Sequence, residues 1–125
     1  MKCISLLQPW ANRIAYGSGD HRKTIETRTW STPYRGDLVI VSSKRPDPMS
    51  AILEADGDCL YGMALCVVEL YDCRPMAQED EEDAMCSWSP GRWAWCLRNV
   101  RQLDPFPVRG QLGLYEIELP EDTLR

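Results

Sequence analysis

Lys23-Thr24-Ile25-Glu26-Thr27-Arg28-Thr29-Trp30 sets three charged side chains into a stretch whose Thr and Ile content reads as a β-strand. Strand side chains alternate between faces, which puts Thr24, Glu26, Arg28 and Trp30 on one side and Ile25 and Thr27 on the other. A carboxylate and a guanidinium on one face can hold a planar polar ligand, and Trp30 is available to stack on it. The pattern predicts a nucleobase pocket on this strand. Lys23 has the wrong parity to join that face unless the backbone bends or bulges near residues 22–25. The approach Gly17-Ser18-Gly19-Asp20-His21-Arg22 supplies the glycines for such a bend. The competing reading is a surface strand carrying solvated, individually weak ion pairs.

Outward from this strand, residues 3–8 read as a short strand, and Pro9 opens a brief helix with Trp10/Ile14 and Ala11/Ala15 paired at i, i+4. Gly17 and Gly19 end that helix. After the motif, Tyr34-Arg35-Gly36-Asp37 predicts a turn into Leu38-Val39-Ile40-Val41-Ser42-Ser43, apolar enough to be buried, closed by Lys44. Residues 47–56 read as a short helix stopped by Gly57, and Tyr61 to Tyr71 as a long Val/Leu-rich strand. The acidic run from Gln78 to Asp83 predicts an exposed loop or helical turn. Arg92 to Leu103 and Gln111 to Leu119 complete the strands, joined by Asp104-Pro105-Phe106-Pro107-Val108-Arg109-Gly110, which two prolines stiffen. About six strands with two or three short helices, in no regular strand-helix-strand alternation, predict an α+β fold: a small mixed β-barrel with helices at its rim.

A chain of 125 residues with 44% hydrophobic side chains fits one compact domain, residues 1–125, around one core. No apolar run approaches the roughly 18 residues of a membrane span, which leads to the expectation of a cytoplasmic protein. The six cysteines (3, 59, 66, 73, 86, 96) form no Cys-x-x-Cys pair, and His21 is the only histidine. That spacing predicts buried free thiols and no zinc site, so neither metal nor cofactor is expected. His21, although close to Lys23, reads as a loop side chain in solvent.

The net charge of -5 is unevenly spread: residues 22–45 sum to +4, while residues 46–83 sum to -10. So acidic a chain does not coat nucleic acid through general phosphate attraction, but a small local basic site is compatible with it. The sequence contains no phosphate-binding Gly-rich loop, Gly-x-Ser-x-Gly elbow or His-Glu-x-x-His, so the common catalytic signatures are absent.

Ile4-Ser-Leu-Leu-Gln-Pro-Trp-Ala11, the Lys23–Trp30 stretch, Tyr34-Arg-Gly36, Leu38-Val-Ile-Val-Ser-Ser-Lys44 and Gly110-Gln-Leu-Gly-Leu-Tyr115 together resemble the ASCH domain family of the PUA-like superfamily. The most specific element is the family's Gly-x-Lys-x-x-Glu-x-Arg pattern, carried by Lys23, Glu26 and Arg28. Gly19 stands four residues before Lys23 instead of two, which implies an insertion in the helix-to-strand corner. The resemblance implies a PUA-like mixed barrel with a cleft beside the first helix and the motif strand, and a role in handling RNA or nucleosides. Some members of the family are linked to binding alone, some to RNA cleavage, and a small bacterial branch to hydrolysis of N4-acetylcytidine. In that branch a threonine follows the lysine by three residues and a glutamate after the central strand completes the set. Here Glu26 occupies the threonine position, with Thr24 and Thr27 as nearby hydroxyls, and the acidic run at 79–83 lies where that glutamate would be sought.

Three functions follow as expectations. The first is a binding module in which Trp10, Trp30 or Trp95 stacks on a single-stranded RNA segment or modified base while Lys23, Arg28 and Lys44 contact phosphate or base edges. Core packing is the competing role for each tryptophan. The second is a metal-independent amidohydrolase of acylated cytidine, in which Lys23 activates water or the Thr24 hydroxyl and Glu26 shuttles the proton. The third is a non-catalytic interaction domain whose acidic segment binds a basic protein.

Overall fold

The computed structural model describes residues 1–47 and 59–124 and contains one mixed sheet of six strands. In chain order these are β1 (Lys2–Gln8), β2 (Ile25–Arg28), β3 (Gly36–Pro46), β4 (Met63–Pro75), β5 (Trp93–Pro107) and β6 (Leu114–Glu116). Their lateral order is β2-β5-β4-β3-β1-β6, with β1 and β3 parallel and the other neighbours antiparallel. The expected barrel is not closed by strand pairing: β2 and β6 are the two ends of the ladder. The sheet nevertheless curls, because Arg28 on β2 reaches the Ser5 carbonyl on β1, four places away in the strand order. Register shifts in the β4–β5 ladder bend these two long strands, and Asn99 takes a φ of 56° within one of them.

The run Leu38–Val41 is apolar on both parities because both of its faces are buried. Leu38 and Ile40 join Ile4, Leu6, Leu70 and Trp95 in the larger core, which helix α1 (Trp10–Ala15) covers with Ala11, Ile14 and Ala15. Val39 and Val41 pack on the opposite side with Cys3, Val67, Leu103 and Tyr115. The Gln8 side chain anchors the start of α1: it is fully buried, accepts from the Asn12 backbone N–H at 2.9 Å and donates to the Leu60 carbonyl at 2.7 Å.

Several elements differ from expectation. β5 continues through Asp104 to Pro107 where a stiff connection was expected, and β6 is only three residues long. The acidic run forms a 3-10 turn (Gln78–Asp80) followed by α2 (Glu81–Ala84). Glu79, Glu81, Glu82 and Asp83 are exposed, but Asp80 is buried and held by a bidentate pair with Arg74 at 2.6 and 2.8 Å. The helix expected over residues 47–56 lies, apart from Asp47, outside the described residues. No disulfide forms among the six cysteines, but only Cys3, Cys66 and Cys96 are buried as expected; Cys59 and Cys73 are half-buried and Cys86 is exposed. Burial pushes Cys3 up to about 11 and Cys66 up to about 12. Among the described residues no helix is long and apolar enough to cross a membrane.

Candidate functional site

The motif strand is shorter than its sequence suggests, and that resolves the parity of Lys23. β2 begins at Ile25, so alternation governs Glu26 and Arg28 but does not extend back to Lys23. A 3-10 turn at Gly19–His21 fills the long corner between α1 and β2. Gly17 allows the chain to close there: a Cβ on it would lie 2.2 Å from the His21 carbonyl oxygen and 2.4 Å from that of Arg13. The same Arg13 carbonyl accepts the Lys23 N–H at 3.1 Å, which fixes the backbone from which Lys23 turns inward.

Lys23 is 4% exposed, and a buried ammonium needs partners. Its Nζ donates to the Ala84 carbonyl at the end of α2, lies 3.5 Å from Glu26 Oε1 and stands 5.8 Å from the centroid of the Trp10 ring. The second oxygen of Glu26 pairs with Arg28 Nη2 at 3.1 Å. One carboxylate thus sits between two cations and leaves the trio with a net positive charge. Arg28 Nη2 also donates to the Ser5 carbonyl at 2.9 Å, while its Nε is buried without a hydrogen-bond partner among the described residues.

This trio lines a cavity of about 970 Å³, large enough for a nucleotide or a short piece of a strand. Trp10 and Trp30 form parts of its wall, and Lys44 at the end of β3 contributes its exposed side chain. Two residues named from the sequence stand elsewhere. Trp95 is fully buried and absent from the lining, where it supports Trp30 from behind. The two rings meet edge to face at 4.8 Å and 84°, and Trp95 Nε1 donates to the Trp30 carbonyl at 3.2 Å. Thr24 does not line the cavity either; its backbone is fixed between the Asp83 carbonyl and the Leu97 N–H.

Thr27, although of opposite parity to Glu26, does line the cavity, and its hydroxyl accepts from Arg92 Nη2 at 2.7 Å and lies 3.7 Å from the Cys86 thiol. No carboxylate of the acidic run reaches the lining, but that segment still serves the site through the Asp83 and Ala84 carbonyls. Sequence reasoning missed Arg92, Arg109 and the Gly110–Gly113 loop. Arg92 and Arg109 arrive from segments remote in the chain, and the loop was visible only as part of a family pattern. Among the described residues, the lining contains six cations, Lys23, Arg28, Lys44, Arg45, Arg92 and Arg109, against the single carboxylate Glu26.

The mouse and human proteins named Activating signal cointegrator 1 are 28% and 26% identical to this chain over 93% of its length. The chain spans only 22% of the length of either relative. A crystal structure of a point mutant of ZmASCH from Zymomonas mobilis superposes with a TM-score of 0.61 at 15% identity, covering 94% of this chain and 89% of that one. It shares the fold. The family model described as ASCH domain matches residues 4–107, which include most of β1, α1, the motif strand and every cation of the cleft except Arg109, and the chain belongs to the ASCH domain family.

Proposed function

We propose that the cleft binds a short single-stranded RNA segment or a modified base carried on a nucleotide. The observation that carries this reading is the concentration of six of the chain's fourteen Lys and Arg residues around one cavity in a chain of net charge -5. Low-dielectric walls lined by one sign of charge focus the field and raise the local concentration of an anion. Trp30, braced by Trp95, presents a stacking face, and stacking tolerates any base.

Fluorescence anisotropy with labelled four-nucleotide RNAs tests the proposal. Binding should weaken with salt at a log–log slope of only about -1 to -3, since each phosphate contact on a single strand contributes ~0.7. Absence of binding at low salt to any RNA or nucleotide would overturn it.

The buried Lys23–Glu26 contact at 3.5 Å, opening on the same cavity, favours a second reading as a metal-independent amidohydrolase of acylated cytidine. Water would add to the acyl carbon and the C–N bond would break, releasing carboxylate and the exocyclic amine. Incubation with a panel of N4-acylated cytidines, read by chromatography, separates the two readings: the binding module turns none of them over.

A further inference from the structure

Leu112 is 98% exposed, far more than any other large hydrophobic side chain among the described residues, and it lines the mouth of the cationic cavity. A singly exposed leucine is ordinary on a protein surface, so it is the place of Leu112 at the cavity, and not its exposure alone, that bears on function. It lies in the Gly110-Gln111-Leu112-Gly113 loop, whose ends are fixed. On the upstream side the Val108 N–H donates to the Gly62 carbonyl at 2.9 Å; on the downstream side Leu114 enters the ladder opposite Ile4. Gly113 has a φ of +69° with no heavy atom within 4 Å of where a Cβ would stand, so the loop has both a left-handed pivot and free space around it. Gly110 is confined instead, since a Cβ there would come within 3.3 Å of Ser5 Oγ. One end of the loop is a pivot and the other an anchor.

We infer that the Gly110–Gly113 loop is a strap that closes over the occupied cleft, with Leu112 packing on the nucleobase that stacks against Trp30. The inference rests on the nucleotide-binding reading and adds to it the residue that covers the base. In the open form the apolar side chain has no partner; with a base in the cleft it gains one, and water is expelled from the stacked face. Because Leu112 carries no charge, its contribution is to the residence time of the ligand and not to electrostatic attraction.

The test compares wild type, Leu112→Met, Leu112→Ser and Lys44→Ala with labelled four-nucleotide RNAs, measuring Kd, dissociation rate, salt slope and thermal midpoint. Leu112→Ser should raise Kd roughly tenfold, mostly through faster dissociation, as expected when one apolar side chain loses its burial on binding. Its salt slope and thermal midpoint should match wild type, and Leu112→Met should restore most of the affinity. Lys44→Ala should instead flatten the salt slope. If wild type binds and Leu112→Ser binds equally well, the strap is wrong and the cleft reading stands. If wild type binds no RNA at all, both are overturned.

Discussion

Arg28 Nη2 donates to the Ser5 carbonyl at 2.9 Å and pairs with Glu26 at 3.1 Å, so one guanidinium both joins the free end of the sheet to β1 and neutralises the carboxylate of the site. The curl of the sheet and the charge of the cleft depend on the same side chain.

Arg28→Lys should therefore behave as a loss of function rather than a conservative change. Both acceptors are met by Nη2 at the far end of the guanidinium, a position that the ammonium of the shorter lysine side chain does not reach. We expect a destabilisation of about 1–3 kcal/mol from the unpaired acceptors, with weaker RNA binding. Denaturant unfolding with anisotropy on the same samples checks it; wild-type stability in Arg28→Lys would show that the bridge between β2 and β1 contributes nothing.

Gly17→Ala should be among the most damaging single-methyl additions in the chain. The new Cβ would overlap two backbone carbonyl oxygens, at 2.2 and 2.4 Å, and backbone cannot rotate away as a side chain can. The corner would have to open, drawing Lys23 from the Arg13 carbonyl and from Glu26. A loss of about 2 kcal/mol or more is expected, at the upper end of overpacking costs. Gly19→Ala has open space around its Cβ and strains only the backbone at φ +55°, so it should cost less, and the order of the two in thermal melts is the measurement.

How far the sequence disclosed this arrangement differs from element to element. Leu38–Val41 was legible because burial on both faces leaves a continuous apolar run, and the family pattern located Lys23, Glu26 and Arg28 together. Alternation alone misplaced Thr24, since it assumes a strand that begins two residues before β2 does. Trp30 and Trp95 looked equivalent as stacking candidates; only packing shows that one is exposed and the other braces it. Arg92 and Arg109 were invisible because their place in the cleft depends on sheet curl and loop path, which no local pattern encodes. Closure of the barrel was not legible: six strands without regular strand-helix-strand alternation suggested it, but the end strands β2 and β6 do not pair with each other, β6 laddering on β1 over three residues and β2 reaching β1 through the Arg28 side chain.

Asp80 should make the protein's stability pH-dependent in acid. The Arg74 guanidinium holds its carboxyl below the ordinary aspartate range, with the Ala77 N–H assisting against the cost of burial. A depressed folded-state value means the contribution is present above the unfolded value of about 3.9 and is lost as pH falls through the lower folded one. Asp80→Asn should cost about 1–3 kcal/mol near neutrality. The gap between wild type and Asp80→Asn should stay constant from about pH 5 to 8 and shrink below about pH 4. A gap that persists undiminished at acid pH would show that the charge of the Asp80 carboxylate is not what stabilises the fold.

Lys23→Met separates binding from chemistry while keeping most of the aliphatic stem in place. Removing the ammonium leaves the Ala84 carbonyl and one oxygen of Glu26 without it, so some loss of stability is expected, and thermal melts identify conditions in which both proteins are fully folded. Under those conditions a binding cleft predicts weaker RNA affinity and no turnover of any N4-acylated cytidine by either protein. A group that acts mainly in the transition state behaves differently, lowering the rate far more than ground-state affinity. Glu26→Gln is the companion variant, because a neutral amide keeps the shape of the carboxylate but cannot shuttle a proton. Rapid hydrolysis by wild type, abolished in Lys23→Met with affinity largely retained and changed in pH profile by Glu26→Gln, would replace the binding module by the hydrolase. We expect the opposite: no hydrolysis, and an affinity loss in Lys23→Met that grows as salt is lowered, since the missing charge is part of the field that draws the ligand in.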